Sequence, residues 1–321
     1  MTDIRHAVRT GLASLLTAPD IDAASEAILA DDAVWHMMAP VDRVDGRAEI
    51  VSRVIKPLRA ALRGAHRRDE IVIGGENRRA EGGTWVAAIS HIVGTHHAPL
   101  WGVAPSGRLA FLRAGEFHRL DAGGRIREGR IILDLPDLMR QAGRQPFPVG
   151  LGTEMLFPGP ATHDGVCPDP AGGAASLDLV ERMLGDLHVY DPETGASPGQ
   201  TGDGGTWADD MMWYGPGGIG ANYRWDGFVR DHRAPFLHAF PDRKGGNHYC
   251  RIGDGNYAAV SGWPSMTMTH RGDYLGETAT GRSLTLRVMD FYRCADGRIA
   301  ENWVLLDYVD LFRQMDRDIL A

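Results

Sequence analysis

The sequence predicts two tandem α+β domains, each a cone-shaped unit in which a curved mixed or antiparallel sheet wraps against N-terminal helices. Three observations lead to this prediction. The second half of the chain repeats motifs of the first, each half places helical periodicity before strand periodicity, and a stretch rich in proline and glycine separates the halves. The length of 321 residues is also typical of about two domains.

The repeat is clearest near the end of each half. Residues 133–141 read LDLPDLMRQ and residues 306–314 read LDYVDLFRQ, so six of nine positions are identical. An Ala-Asp-Asp triplet with a tryptophan three positions later occurs at 30–35 and again at 208–213. Because such motifs keep the same order and nearly the same spacing, we interpret the chain as a tandem duplication.

The boundary between the halves is visible in the composition. Residues 143–173 contain six prolines and seven glycines, which is typical of a linker. We therefore expect domain one at 1–142 and domain two at 174–321. Domain two carries an extra segment, 189–206, which is either a lid over a pocket or a tolerated surface insertion.

The elements follow the same order in both halves. Apolar residues at helical spacing predict two helices at the start of each half: 3–17 and 47–63, then 175–188 and 225–240. Pro57 and Pro235 are expected to end or kink the second helix of each half. Alternating residues between glycine turns predict three strands per half: 84–97, 108–120 and 125–135, then 256–270, 282–294 and 298–308.

Composition and charge argue against several classes of protein. The net charge of −8 would repel nucleic-acid phosphates, and the chain has no run of about 18 apolar residues that would predict a membrane span. The segment 1–6 lacks the apolar core of a signal peptide, and three cysteines without a CxxC pair fit a reducing cytoplasm. No phosphate-binding loop or GxSxG elbow is present, so we expect no cofactor.

Motifs in the strand regions resemble those of the SnoaL-like polyketide cyclases. The middle motif is Gly94-Thr95-His96, Leu100-Trp101-Gly102 and Pro105-Ser106-Gly107-Arg108 in domain one, repeated as Thr269-His270-Arg271-Gly272, Leu275-Gly276 and Thr280-Gly281-Arg282 in domain two. The closing motif is the segment 296–303 with Asp307 and the segment 311–314. The resemblance covers most of both halves and implies the nuclear-transport-factor-2-like, ketosteroid-isomerase-like fold. That superfamily contains enzymes and non-catalytic modules, so the resemblance is specific for the fold and not for the reaction.

The resemblance also implies a pair of polar residues for acid/base chemistry. It places an aspartate on the last strand as the general acid/base, and the matching residues are Asp307 and Asp134. It places a helper residue on the preceding strand, where the matching residues are Asp290 and Glu116 and some members of the family have histidine.

Strand alternation predicts apolar surroundings for these carboxylates. Asp290 shares a strand face with Tyr292, and Asp307 shares one with Trp303. A carboxylate among such side chains is desolvated, which raises its pKa, and a second carboxylate facing it raises the pKa further. The alternative is that Asp134 and Asp307 are N-caps of the short helices that follow them.

Other polar and aromatic residues are candidates for substrate contact. His270 aligns with His96 and is the third catalytic candidate of domain two. Asn222 or Tyr223 is a candidate donor to an enolate. We predict no metal ligands, although a site of two or three histidines in domain one is an alternative. The full set of substrate-binding candidates is Trp35, His96, His118, Trp213, Tyr214, Asn222, Tyr223, Tyr292 and Trp303.

Taken together, these features predict an enzyme that removes a proton next to a carbonyl of a polyketide-like small molecule, followed by aldol cyclisation or isomerisation. Asp307 is the expected base, tuned by Asp290, and His270 or Tyr223 polarises the carbonyl. We expect domain two to carry the main activity. The alternatives are a hydrolase or dehydratase with the same pocket, and a non-catalytic module for small-molecule binding or dimerisation. The two sheets are expected to pack face to face as an internal pseudo-dimer, with a further homodimer left open.

Overall fold

The chain forms two α+β domains that repeat one another. The computed structural model describes residues 3–191 and 194–321. The elements of domain one are α1 (Ile4–Thr17), α2 (Ile21–Ile28), β1 (Leu29–Met37), β2 (Arg43–Asp45), α3 (Arg47–Ile50), a π-helical turn (Val51–Ile55), α4 (Lys56–Ala61), β3 (Leu62–Glu76), β4 (Thr84–His96), β5 (Leu109–Leu120), β6 (Ile126–Leu133) and α5 (Leu135–Gln141). Those of domain two are α6 (Gly173–Leu187), β7 (Trp207–Tyr214), β8 (Ala221–Tyr223), α7 (Arg224–Phe228), a π-helical turn (Val229–Arg233), α8 (Ala234–Ala239), β9 (Cys250–Asp254), β10 (Tyr257–Thr269), β11 (Ser283–Ala295), β12 (Arg298–Leu306) and α9 (Tyr308–Gln314).

Each domain is built on one six-stranded mixed sheet. The strand order is β2-β1-β6-β5-β4-β3 in the first sheet and β8-β7-β12-β11-β10-β9 in the second. In each sheet one pair is parallel, β1 with β6 and β7 with β12, and the other neighbours are antiparallel. The identical order confirms the fold class and the tandem duplication that the sequence repeats predicted.

The first helix shows why the predicted helices form. Asp3 caps α1, because its side chain accepts a hydrogen bond from the backbone N–H of Arg5. Val8, Leu12 and Leu15 are buried at helical spacing. This apolar stripe packs against β3, so α1 covers one side of the first sheet.

The two prolines do not end their helices. Pro57 lies in the first turn of α4 and Pro235 in the first turn of α8, and each follows a π-helical turn. Proline has no N–H to donate, and its ring crowds the carbonyl one turn earlier. The wider π-helical turn accommodates this conflict, so the helical path continues to Ala61 and to Ala239.

Three predicted strands per half are present as β4, β5 and β6 and as β10, β11 and β12. The other three strands of each sheet, β1, β2 and β3 and then β7, β8 and β9, lie outside the predicted strand ranges. In β3 the charged residues Arg63, Arg67 and Arg68 hide the alternation. This strand is an edge strand, where the exposed side chains of Arg63 and Arg68 reach solvent and protect the free edge, whereas the side chain of Arg67 is buried.

The two sheets contact each other through one face of each. The rings of Phe117 on β5 and Phe291 on β11 lie 5.3 Å apart. A Cβ at Gly115 would come within 2.7 Å of Leu305 and 3.2 Å of Met289. Glycine at this position therefore allows the strands of the two domains to approach closely.

The segment 143–173 runs between the domains without a helix or a long strand until α6 begins. It forms isolated bridges, Val166 with Val72 and Thr153 with Ala221, and it buries Phe157. The segment is therefore packed on both domains. Within the described ranges, the chain contains no helix of the length and apolarity needed to cross a membrane.

Candidate active site

Domain two contains a pocket between the inner face of its sheet and its helices. Its empty volume, including the open mouth, is about 860 Å³. Most of the wall is apolar and comes from α6, α8, β10, β11 and β12: Met183, Leu184, Phe236, Met266, Leu286 and Leu306. A concave, mostly apolar lining with a few polar groups is typical of small-molecule sites.

Asp290 presents its carboxyl group to this pocket. Val288, Asp290 and Tyr292 alternate onto the pocket side of β11, as the strand spacing predicted. Burial raises the pKa of Asp290 to about 7, and hydrogen bonding to Asn302 and Tyr292 lowers it only in part. Asp290 is still partly accessible from the pocket, so a bound molecule can reach its carboxyl group.

Two neutral histidines line the same pocket. His232 stacks on Trp213 with ring centroids 4.5 Å apart, and burial lowers the pKa of His232 to about 3. Burial also lowers the pKa of His248 to about 3. The Nε of Arg251 donates to Nδ1 of His248 at 3.1 Å, so the neutral ring carries its proton on Nε2. His248 is therefore a neutral hydrogen-bond donor at the pocket wall.

This arrangement suits the transfer of a proton from carbon. A carboxyl group with a pKa near neutrality can accept a proton and return it within one catalytic cycle. The apolar wall lowers the local dielectric constant and strengthens the interactions of the charged form. A neutral donor such as His248 can hydrogen-bond the enolate oxygen that forms when the proton leaves.

The structure places Asp307 in different surroundings. Asp307 is 2% exposed, and its Oδ1 accepts from the N–H of Asp310 at 3.1 Å, at the start of α9. Its Oδ2 accepts from the N–H of Ala39 in domain one at 3.1 Å and from Nη1 of Arg287 at 2.8 Å. Burial raises the pKa of Asp307 to about 6, against the effect of Arg287. Both carboxylate oxygens are thus occupied by groups of the protein.

The face on which Asp307 lies explains the difference from the expectation. Trp303, Leu305 and Asp307 alternate along β12 as predicted, but Leu305 on this face lies against Gly115 of domain one. The pocket side of β12 presents the other set: Asn302, Val304 and Leu306. The expectation that Asp307 and Asp290 face each other in one pocket is therefore wrong. Alternation divides a strand into two faces but does not say which face is inside.

Asp134 repeats the arrangement of Asp307 from the other domain. Its Oδ1 accepts from the N–H of Asp137 at 3.0 Å, and its Oδ2 accepts from the N–H of Gly217 in domain two at 2.9 Å. Nη1 of Arg113 lies 3.4 Å from Oδ2. Each aspartate caps a helix of its own domain and binds the backbone of the other domain. The N-cap alternative therefore describes the geometry of both.

The corresponding cavity of domain one is smaller, and its acid is paired. Its empty volume is about 360 Å³, and Trp35, Arg67 and Glu116 line it together with apolar side chains. Arg67 donates two hydrogen bonds to Glu116, at 3.0 and 2.6 Å. Burial alone would raise the pKa of Glu116, but Arg67 brings it below its usual value. Glu116 is therefore held in its charged form at neutral pH.

The histidine candidates of domain one are not among the described residues that line the cavity of the Arg67–Glu116 ion pair. His118 packs beside Trp35 with ring centroids 6.0 Å apart, and burial lowers the pKa of His118 to about 4. His96 is fully buried at the end of β4, and its ring nitrogens have no hydrogen-bond partner in the part of the chain that the structure describes. Across 3–191 and 194–321, no group of three or more ligand side chains converges on a metal position.

His270 occupies the position in domain two that His96 occupies in domain one. It packs against Phe240 with ring centroids 5.5 Å apart, and its Nδ1 lies 3.1 Å from the hydroxyl of Thr280. His270 is fully buried and does not form part of the described pocket lining. The structure therefore does not bring His270 together with Asp290.

Four aromatic and polar candidates also lie outside the pocket. Tyr214 stacks on Trp303 with ring centroids 5.3 Å apart, and Nε1 of Trp303 donates to the carbonyl of Pro158 in the linker. Tyr223 is 55% exposed and borders a separate surface depression together with Asn222. Of the predicted set, the pocket of domain two brings together three residues: Trp213, Asp290 and Tyr292.

The pocket also contains residues that the sequence did not single out, among them His232, Arg243 and His248. His232 had a detectable signal, since Phe228, His232 and Phe236 recur every four residues and so share one helical face. Arg243 and His248 lie in an irregular segment between α8 and β9. No periodicity indicates where such a segment runs, so only the structure places them.

Comparisons with solved structures find proteins that resemble about half of the chain. AclR of Streptomyces galilaeus, a proposed hydroxylase, is 18% identical over 45% of this chain and 83% of its own, with a TM-score of 0.33. A proposed isomerase of Rhodopseudomonas palustris is 20% identical over 45% of this chain and 100% of its own, with a TM-score of 0.35. IdmH of Streptomyces antibioticus, a proposed polyketide cyclase, is 20% identical over 46% of this chain and 99% of its own, with a TM-score of 0.29. No curated protein matches the chain significantly.

A family model gives the assignment that the repeats suggested. The model described as SnoaL-like polyketide cyclase matches residues 6–142 and again residues 205–315. Each match spans one of the two sheets, and together they cover well over half of the sequence. The chain therefore belongs to the SnoaL-like polyketide cyclase family, in the form of a tandem duplication.

Proposed function

We propose that domain two is an enzyme that removes a proton next to a carbonyl group of a small, largely apolar molecule. Aldol cyclisation or isomerisation would follow from the enolate. The observation that carries the proposal is Asp290, a carboxyl group whose pKa burial raises to about 7 and which remains accessible from an apolar pocket. At neutral pH both protonation states of such a group are populated, as a general base that later acts as an acid requires.

The proposed reaction uses Asp290 and the neutral histidine His248. The Asp290 carboxylate accepts the proton from carbon, and the electron pair of the broken C–H bond moves to the carbonyl oxygen. The Nε2–H of His248 hydrogen-bonds that oxygen as it becomes negative. Asp290 then returns its proton to carbon or oxygen of the product, which restores the carboxylate. Every group in this scheme belongs to the chain or to the substrate.

The base is thus Asp290 in place of the predicted Asp307. Asp290 is accessible from the pocket, whereas both oxygens of Asp307 accept hydrogen bonds at the contact between the domains. His248 takes the role that the sequence gave to His270 or Tyr223, because His248 lines the pocket. We assign domain one a structural role, since Arg67 neutralises Glu116.

The proposal extends to the assembly and its surroundings. We propose that domain one comprises residues 1–142 and domain two residues 174–321. The contact of Phe117 with Phe291 supports an internal pseudo-dimer formed within one chain. All three cysteines are unpaired, which supports the reducing cytoplasm expected from the sequence.

Deuterium exchange tests the proposed chemistry without knowledge of the product. The full chain is incubated in D₂O with a panel of cyclic and open-chain ketones and β-diketones, and deuterium next to the carbonyl is measured by NMR. We expect catalysed exchange for at least one compound. Asp290→Asn should lower its rate by about 10²–10⁴-fold, the usual size of a general-base contribution.

Asp307→Asn is the matched control, since it removes a second buried carboxylate of raised pKa outside the pocket. We expect it to retain the exchange rate. A rate that survives in Asp290→Asn and falls in Asp307→Asn would reverse the assignment. No exchange with any compound of the panel would count against an enzyme of this class.

A further inference from the structure

The pocket of domain two contains two arginines that lie over the ring of Tyr190 and have no carboxylate partner among the described residues. Arg233 and Arg243 line it, and neither forms an ion pair with a carboxylate of residues 3–191 or 194–321. Burial and the neighbouring Arg243 lower the pKa of Arg233 to about 10, and burial lowers the pKa of Arg243. Asp290 is the one acidic side chain in the described lining. A desolvated guanidinium without a counter-charge is unfavourable.

The two arginines differ in how many of their donors are used. Arg233 donates to the carbonyls of Gly195 and Leu187 and to the hydroxyl of Ser197, at 2.7 to 3.2 Å. It therefore holds the segment that follows α6, which includes part of the 189–206 insertion, against the pocket. The Nε of Arg243 is buried and has no hydrogen-bond partner among the described residues.

Arg243 and His188 both lie close to the backbone at two glycines, Gly245 and Gly246. A Cβ built on Gly245 would lie 3.6 Å from Nη1 of Arg243 and 3.6 Å from Nε2 of His188. A Cβ on Gly246 would lie 3.1 Å from the same His188 nitrogen. Gly245, Gly246 and His188 all line the pocket. The Arg243 guanidinium and the His188 imidazole therefore lie together at this end of the pocket.

We propose that this end of the pocket binds a carboxylate group of the substrate, with Arg243 as its counter-ion. The inference rests on the proposed function, because it names the charge class of the substrate of that site. A planar carboxylate matches the donor fork of a guanidinium group. The apolar wall accommodates the rest of the molecule, so the ligand is an apolar body with one negative group.

A single negative charge fits the site better than a phosphate. No lysine belongs to the described wall, and Arg233 has most of its donors engaged with the protein. A phosphate carries up to two charges and three oxygens that need donors. One free guanidinium with His188 can balance a carboxylate but leaves a phosphate short of partners.

Binding of matched acids and amides to the full chain tests this proposal. The probes are benzoate, naphthalene-2-carboxylate and octanoate, each compared with its neutral primary amide by calorimetry. The fluorescence of Trp207 and Trp213, which line the pocket, reports binding at that site. We expect at least one acid to bind roughly tenfold or more tightly than its amide. The absence of such a preference in all three pairs overturns the proposal.

Variants assign the preference to one residue. Arg243→Gln should abolish the preference for the acid and leave the affinity for the amide unchanged. Arg230→Gln removes an exposed arginine outside the pocket and should keep the preference. Arg243→Lys keeps the positive charge but lacks the planar set of guanidinium donors, so it should retain part of the preference for the acid. This variant tests the proposal if Arg243→Gln does not fold. A preference that survives in a folded Arg243→Gln protein overturns the assignment.

Asp290→Asn separates this proposal from the proposed reaction. If Asp290 is the base, Asp290→Asn loses deuterium exchange but still prefers the acids, because the carboxylate site lies at Arg243. If exchange persists in Asp290→Asn while Arg243→Gln loses the preference, the carboxylate site stands and the assigned base is wrong. If wild-type protein exchanges deuterium but binds acids and amides equally, the enzyme stands and the carboxylate site does not.

Discussion

The pockets of the two domains start from corresponding strand positions and reach opposite electrostatic states. In domain one, Glu116 on β5 forms a two-bond ion pair with Arg67 inside a cavity of about 360 Å³. In domain two, Asp290 on β11 faces about 860 Å³, and no cation of the described chain acts on its pKa. The comparison shows that a cationic partner two strands away decides whether a pocket acid is a fixed charge or a group that titrates near neutral pH.

The difference originates in one short segment. Arg67 lies opposite Ile92 in the pairing of β3 with β4. Ile92 corresponds in the repeat to Met266, and the residue after it, Thr267, pairs with Lys244. The chain at 245–247 reads Gly-Gly-Asn, so it has no long cationic side chain where domain one has Arg67.

Removal of Arg67 is expected to have the largest effect on stability. Arg67→Met leaves the buried Glu116 carboxylate without its partner, which should lower the free energy of unfolding by about 3–5 kcal/mol. Urea denaturation at pH 7.5 measures the loss. The double variant Arg67→Met/Glu116→Gln removes both charges and should recover most of it. Arg243→Met, which removes an unpaired arginine from the other pocket, should change stability by less than about 1 kcal/mol. Equal losses in the two domains would contradict the comparison.

Asp290→Asn is expected to stabilise the protein, and only at higher pH. The folded-state pKa of about 7 lies above the ordinary value of 3.8, so the folded state binds the proton more tightly than the unfolded state. The stabilising contribution of Asp290 is fully present below pH 3.8 and is lost as the pH rises through about 7. Asparagine stays neutral throughout, so the variant should gain about 2–4 kcal/mol at pH 8 and little at pH 4. Denaturation curves at the two pH values measure the difference.

Glu116→Gln is the matched control for Asp290→Asn. The pKa of Glu116 is lowered in the folded state, so its charge stabilises the protein at neutral pH. Its replacement removes one of the two carboxylates that pair with Arg67, the other being Asp69, and should therefore destabilise domain one at pH 8. The same chemical change thus has opposite signs in the two pockets. Destabilisation by both variants would show that Asp290 also has a cationic partner.

The sequence predicts the frame of this molecule better than its site. The repeats give two domains, and periodicity gives the long helices and three strands of each sheet. The same alternation places Asp290 and Tyr292 together correctly, because it needs only the strand. The alternation fails for Asp307, because both faces of β12 carry apolar side chains. One face lines the pocket, and domain one covers the other. Arg243 and His248 could not be found, since an irregular segment carries no periodic signal.

The rate of catalysed deuterium exchange should rise with pH in a way that sharpens the role of Asp290. A general base acts in its deprotonated form, and the pKa of Asp290 is about 7. The rate should therefore fall about tenfold for each pH unit below 7 and level off above it, which is roughly a hundredfold between pH 5 and pH 8. A profile of rate against pH with saturating ketone measures this. A profile that is flat from pH 5 to pH 8 would remove Asp290 as the base.

The smallest effects are expected where the two domains do not differ, at the caps Asp134 and Asp307. Each accepts a hydrogen bond from the third residue of its helix and another from the backbone of the opposite domain. Asparagine keeps one oxygen to cap the helix, but its NH₂ group would face the N–H of the opposite domain, so Asp134→Asn and Asp307→Asn should each cost about 1–2 kcal/mol. Alanine also leaves a buried N–H unpaired, so Asp134→Ala and Asp307→Ala should each cost about 2–3 kcal/mol. Denaturation of the four variants should give equal losses in the two domains, with unchanged deuterium exchange in the asparagine pair. A loss confined to Asp307 would show that this aspartate has a role beyond the contact that the domains share.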